Sequence, residues 1–136
     1  MKPFGIFIAL AVALGASVVP DCARADDELQ QGRVELGRIW YEKYCTPCHG
    51  LGGTPGSAVY PDTKQPVDLR NYVRRYGGNF PSSRWITTVF NPLPGGAHTK
   101  IWEKIRSTRA AGAEGDTEAH GVVVIIADYV ISVQAK

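Results

Sequence analysis

Gly37-Arg38-Ile39-Trp40-Tyr41-Glu42-Lys43-Tyr44-Cys45-Thr46-Pro47-Cys48-His49-Gly50 is the stretch that decides how this chain is read. Its centre, Cys45-Thr46-Pro47-Cys48-His49, has the form Cys-X-X-Cys-His, the attachment pattern of a c-type haem. The spacing has a chemical reason. Two thiols separated by two residues add to the two vinyl groups of one porphyrin as thioethers, and the next residue, His49, is then held under the iron as proximal ligand. A thioredoxin-like dithiol needs a βαβ context, whereas the flanks here read as helix on one side and Gly/Pro loop on the other. A structural zinc needs four protein ligands, and the remaining cysteine, Cys22, lies in a segment expected to be removed.

That segment is the N-terminus. Met1-Lys2 supplies a positive start, residues 4–19 are apolar apart from Gly5, Gly15 and Ser17, and Ala23-Arg24-Ala25 fits the small-X-small cleavage pattern. The reading is a secretory signal peptide, residues 1–25, cleaved after Ala25, with residues 26–136 as one small domain. The apolar run is short for a membrane span, and no later segment is long or apolar enough. An exported, soluble product is therefore expected, in the periplasm if the source is bacterial. The formal charge of +2 loses one unit with the leader, and two haem propionates would carry it slightly negative. Nothing in this balance points to nucleic acid. With Cys45 and Cys48 both on haem, no disulfide is available.

Outward from the motif the pattern is all-α, with no strand alternation. Residues 28–44 read as a first helix, with Leu29, Val34 or Leu36, Ile39, Trp40 and Tyr44 as its apolar stripe and Asp26, Asp27 and Glu28 at its N-terminus. Residues 50–66 read as a Gly/Pro-rich loop. Asp68 caps a short helix to Tyr76 that Gly77-Gly78 end. Pro81-Ser82-Ser83 opens another through Phe90, stopped by Asn91-Pro92. Residues 93–99 form a Gly/Pro loop carrying His98, residues 100–109 a helix, and residues 110–115 a linker. Thr117 caps a last helix running to about Gln134, with Val122, Ile125, Ile126, Tyr129, Val130 and Val133 apolar.

The stretch from Gly37 to Gly50 resembles the first helix and haem site of the class I cytochromes c. Gly37, Tyr41 and Cys45 keep that family's Gly, aromatic, Cys spacing, and Ala127-Asp128-Tyr129-Val130 resembles its last helix. The resemblance implies a small cytochrome c fold, four or five helices wrapped around one covalently attached haem, with Cys45, Cys48 and His49 as its anchors. Two helices crossing at close approach need one side without a side chain, so Gly37 is paired with Tyr129. The family also implies a Pro carbonyl hydrogen-bonded to the proximal histidine; Pro66 resembles it best and Pro61 is the alternative.

One departure matters. The family usually supplies a distal Met, and the single Met of this chain is Met1. His98, in Pro94-Gly95-Gly96-Ala97-His98-Thr99 with Trp102 following, stands near the Met position and is the expected distal ligand, since neutral imidazole binds iron well. His120 is the alternative, in the first turn of the last helix where the fold faces solvent; an open iron is the third reading. Bis-His ligation by His49 and His98 lowers the potential relative to Met ligation.

Three further readings stay open at this level. Trp85 or Trp102 either donates to a propionate or packs. Arg70, Arg74, Arg75 and Arg84 either bind an acidic group or are solvated, with Arg70 and Arg74 on one helical face. Glu114, Asp116 and Glu118 form an acidic patch able to steer docking. No nucleophile motif, carboxylate pair or phosphate loop is present. The expected activity is electron transfer rather than enzymatic catalysis, with redox proteins as partners: a periplasmic dehydrogenase, another cytochrome or an oxidase. The competing readings are a haem protein with a labile distal site that binds CO, NO or O₂ or carries weak peroxidase chemistry, and a cytochrome subunit of a periplasmic dehydrogenase.

Overall fold

The computed structural model describes residues 21–90, 94 and 96–135. Helices α1 (Asp21–Tyr44), α2 (Thr46–His49), α3 (Tyr72–Arg75), α4 (Ser82–Val89), α5 (Ala97–Ser107) and α6 (Ala113–Ser132) follow one another, with 3₁₀ turns at Leu51–Gly53 and Leu69–Asn71. Among the described residues the only extended pairing is the isolated bridge between Val59 and Pro66. The all-α expectation holds in that sense. Most of the proposed leader lies outside the described residues, and residues 21–25 continue α1.

The framework is the packing of α1 against α6. A Cβ on Gly37 would overlap the carbonyl oxygen of Ile125 and lie 3.0 Å from the Tyr129 Cβ. One turn on, the Tyr41 and Tyr129 rings meet with centroids 5.1 Å apart. The pairing of Gly37 with Tyr129 is thus observed. Tyr41, Val123, Ile126 and Val130 are enclosed along this seam, and Ile105 joins them from α5. At its edge Arg33 bridges to Asp128 at 2.6 Å.

Several boundaries and faces differ from expectation. α1 begins at Asp21, because nothing between there and Glu28 breaks a helix and Ala23, Arg24 and Ala25 favour one. Asp26, Asp27 and Glu28 therefore lie inside the helix. Its buried face is Gly37, Tyr41 and Tyr44, with Val34 and Trp40 at the margin, while Leu29 is 67% exposed and Leu36 and Ile39 also face out. The close approach at Gly37 selects that face, and total hydropathy does not. α6 starts at Ala113 rather than Thr117, whose hydroxyl donates to the Ala113 carbonyl at 2.9 Å. The turn before it is tied by Arg106, which donates to Asp116 and to the carbonyls of Ala110 (2.6 Å) and Gly112 (2.9 Å). Asp116 is thereby committed within the chain rather than to a docking partner.

The middle segment folds back across the C-terminal end of α6. Asp68 accepts from the Arg70 N–H at 3.0 Å, as a cap does, but opens a 3₁₀ turn before α3. Arg70 and Arg74 consequently do not share one α-helical face. Arg70 bonds Asp68, Arg75 pairs with Asp62 and covers the Tyr60 ring, and Arg84 covers the Tyr76 ring. Trp85 is core: its indole N–H donates to the Val123 carbonyl at 3.3 Å.

Gln134 is a clasp that the sequence did not announce. Its side chain accepts from the Val73 N–H (2.8 Å) and donates to the carbonyls of Leu69 (2.8 Å) and Val130 (2.6 Å). Each such bond contributes about 1 kcal/mol, and a stranded partner costs more. Gln134→Ala is expected to lower unfolding stability by about 2 kcal/mol, read as a lower denaturant midpoint at unchanged slope. An unchanged midpoint would remove the clasp.

Candidate functional site

α1 runs almost directly into the motif. The Cys45 N–H still donates to the Tyr41 carbonyl at 2.7 Å, and the Cys45 carbonyl accepts from Cys48 (3.1 Å) and His49 (2.9 Å). α2 is the resulting single turn, with Pro47 in its first positions. It presents Cys45 and Cys48 one turn apart, both as free thiols, with His49 next in line. Gly50 (φ 71°) turns the chain away, and the loop returns so closely that a Cβ on Gly56 would overlap the Cys48 carbonyl oxygen. That carbonyl accepts from Ala58 at 2.9 Å. The enclosed Tyr41 adds a clamp, its hydroxyl donating to the Gly50 carbonyl at 2.9 Å and, at 3.4 Å, to that of His49. This role was missed in the sequence. Its signal is a tyrosine where phenylalanine would pack equally well.

His98 lies in the first turn of α5, after Gly96, rather than in the loop expected for residues 93–99. The part of that loop at residues 91–93 and 95 lies outside the described residues. From this position His98 meets His49. The two imidazole rings are nearly parallel, 7° between planes, with centroids 6.0 Å apart. His120 is elsewhere and exposed, edge-on to Phe90 (4.2 Å) and beside Trp102 (5.2 Å).

The chemistry of the donors follows from burial. Desolvation, with the nearby His98, pushes His49 down to about 4, and burial also lowers His98. Both imidazoles are thus neutral, the form that ligates metal. The Cys45 sulfhydryl is pushed up to about 12 by burial and by Cys48, the opposite of a thiolate-based redox dithiol. Among the described residues no group of three or more His, Cys, Asp or Glu side chains is placed to hold a metal ion. A structural zinc takes four protein ligands, a porphyrin iron two.

Among the described residues, the buried side-chain atoms without a hydrogen-bond partner are Tyr44 Oη, Thr46 Oγ1, His49 Nδ1, and Nε and Nη2 of Arg109. Three of these side chains belong to the motif or abut it. The fourth, Arg109, sits over the Trp40 ring at 5.0 Å. The carbonyl bond expected for His49 Nδ1 is therefore not made by Pro66 or Pro61. Pro66 is exposed, held in its bridge with Val59. Buried polar groups are almost always paired, so their gathering here marks where a further group belongs. Two imidazole nitrogens each about 2 Å from a first-row metal ion set their ring centres about 6 Å apart when the metal lies between them. The donor set and its spacing fit a covalently attached haem.

Comparison with known proteins finds no matching family model, no matching curated protein and no matching solved structure.

Proposed function

We propose that this chain is an electron-transfer protein of the class I cytochrome c type, carrying one haem c through Cys45 and Cys48 with His49 and His98 as axial ligands. The observation that carries the reading is the pair of imidazoles, parallel within 7° and with centroids 6.0 Å apart, one of which directly follows the two thiols of the motif. Once bound, the haem supplies a one-electron Fe(III)/Fe(II) couple. The protein's part is to hold, orient, exclude water and tune.

Each of those tasks has residues. Cys45 and Cys48 fix the group covalently. Tyr41 clamps the backbone around His49, so that the proximal imidazole is delivered by a rigid helix end. His98, on α5, would hold the iron from the other side and exclude water or a diatomic ligand from it. Imidazole in place of a thioether favours Fe(III), which supports a carrier poised well below Met-ligated relatives. Cys48 is exposed, which suits exchange with partners during brief contacts of less than about 1,200 Å². Those partners are redox proteins, with a dehydrogenase as donor and another cytochrome or an oxidase as acceptor. Attachment and function belong in the periplasm, after cleavage of residues 1–25. No helix among the described residues is long and apolar enough to cross a membrane.

The test is to produce the chain alongside a c-type haem attachment system and denature it in acidified organic solvent. One haem is expected to stay with the polypeptide, seen as a mass increase of one haem per chain and as retained colour. Cys45→Ala with Cys48→Ala is expected to abolish that increase. A haem that extracts freely, or no haem, ends the proposal.

A further inference from the structure

Among the described residues Arg109 has no counter-charge. Its Nε and Nη2 are buried and unpaired, and it takes part in none of the ion pairs among the described residues. The neighbouring cations are already committed: Arg106 holds Asp116, and Arg38 holds Glu35 and Glu42. Guanidinium keeps its proton in proteins, so neutralisation does not relieve it. Shielded donors left without an acceptor are costly, and the face of Trp40 at 5.0 Å compensates for them only in part. Something else must favour this cation.

Its position says what. Trp40 lies parallel to Tyr44, 7° between planes and 5.8 Å between centroids, and Tyr44 is bonded to Cys45. The guanidinium thus stands two aromatic rings from the attachment point of the group proposed above. We propose that Arg109 is a potential-setting residue, a half-buried cation that favours the reduced state of the haem held at Cys45, Cys48, His49 and His98. This rests on the haem reading. The physical ground is Coulombic. Reduction by an external donor places one additional negative charge on the centre, and a cation nearby lowers the cost of that charge. In protein of effective dielectric about 20, a unit charge roughly 10–15 Å from a redox centre shifts its reduction equilibrium several-fold. Arg109 then partly opposes the drop that bis-His ligation imposes.

Lys43 is the internal contrast. Its Nζ lies 5.1 Å from the Trp40 and the Tyr44 rings, yet the residue is exposed, and solvent and salt screen an exposed charge. The same formal charge beside the same rings is expected to matter much less.

The experiment is a redox titration of the haem-loaded protein with mediator dyes, in wild type, Arg109→Met, Arg109→Lys and Lys43→Gln. Arg109→Met, which fills the space without a stranded donor, is expected to lower the midpoint potential by the equivalent of several-fold in the reduction equilibrium, with an unchanged low-spin spectrum. Arg109→Lys is expected to stay near wild type, and Lys43→Gln to move far less than Arg109→Met. If Arg109→Met folds poorly, Arg109→Gln is read in its place. Equal potentials in wild type and Arg109→Met overturn the proposal, and a change in thermal stability alone makes Arg109 structural. Equal falls in the Met and Lys variants overturn it too, because charge is then not the cause. A wild-type potential that follows added inorganic phosphate at constant ionic strength does the same, since a diffusible anion then neutralises the guanidinium. Failure of the haem reading is separate: it shows beforehand as no covalent haem in the wild type.

Discussion

Replacing His98 by alanine is expected to turn a low-spin protein that ignores carbon monoxide into a high-spin one that binds it on reduction. The expectation follows from the geometry of the imidazole pair. The ring of His98 lies parallel to that of His49 with centroids 6.0 Å apart, and burial favours the neutral form of both, the form that ligates metal. The single Met of the chain is Met1, and His120 is engaged with Phe90 and Trp102. The measurement is the optical and electron paramagnetic resonance spectrum of the oxidised protein, followed by carbon monoxide after reduction. His120→Ala, run alongside, is expected to match wild type, and added imidazole to restore the low-spin spectrum of His98→Ala. A wild type already high-spin and reactive with carbon monoxide would take His98 off the iron and move the protein to the class that binds small gases.

The second large effect is on stability, at Gly37. Alanine in the middle of a helix is intrinsically better than glycine by about 1 kcal/mol, so Gly37→Ala carries a built-in gain. Against it stands the Ile125 carbonyl oxygen, which occupies the place a Cβ would take, with the Tyr129 Cβ at 3.0 Å. A backbone carbonyl inside a helix does not rotate aside as a lysine tip does. α1 and α6 must separate, and the Tyr41–Tyr129 contact with them. Overpacking of flexible cores costs about 1–3 kcal/mol, and a rigid obstacle lies at the upper end. Gly37→Ala is expected to lose about 2 kcal/mol net, and Gly37→Val more than about 3 kcal/mol. In a domain of this size each kcal/mol shifts the melting temperature by about 4–8 °C. Gly32 supplies the control. It lies in the same helix, exposed, with nothing near its would-be Cβ, and Gly32→Ala is expected to gain about 0.5–1 kcal/mol. Thermal melts of the haem-loaded variants decide it. Gly37→Ala as stable as Gly32→Ala would mean that the helices do not cross there.

Much of the framework was legible because its causes are local. Gly37, Tyr41 and Cys45 are spaced to lie along one side of a helix, and a glycine opposite an aromatic residue marks a close crossing wherever the chain brings the two together. The apolar repeat around Val122, Ile126, Tyr129 and Val130 needs only the helical period. Faces and boundaries were less legible. Leu29, Leu36 and Ile39 are apolar yet point outward, because the crossing at Gly37 rotates α1 to a face that its hydropathy does not favour. The start of α6 moved to Ala113, where Arg106 gathers the preceding turn through side-chain bonds that no local pattern encodes.

The candidate site divides along the same line. The proximal half, Cys45 through His49, is five consecutive residues whose proposed chemistry depends on spacing alone, so it was legible in the sequence, together with the absence of any methionine after Met1. The distal half was a choice among histidines that sequence narrowed through resemblance. Only the tertiary structure set His98, on the first turn of α5, 6.0 Å from His49 and put His120 on an aromatic shelf. It alone also enclosed Nε and Nη2 of Arg109 without a hydrogen-bond partner. Distances between residues far apart in the chain arise from how α1, α5 and α6 pack, and packing is a property of the whole set of side chains rather than of any one stretch.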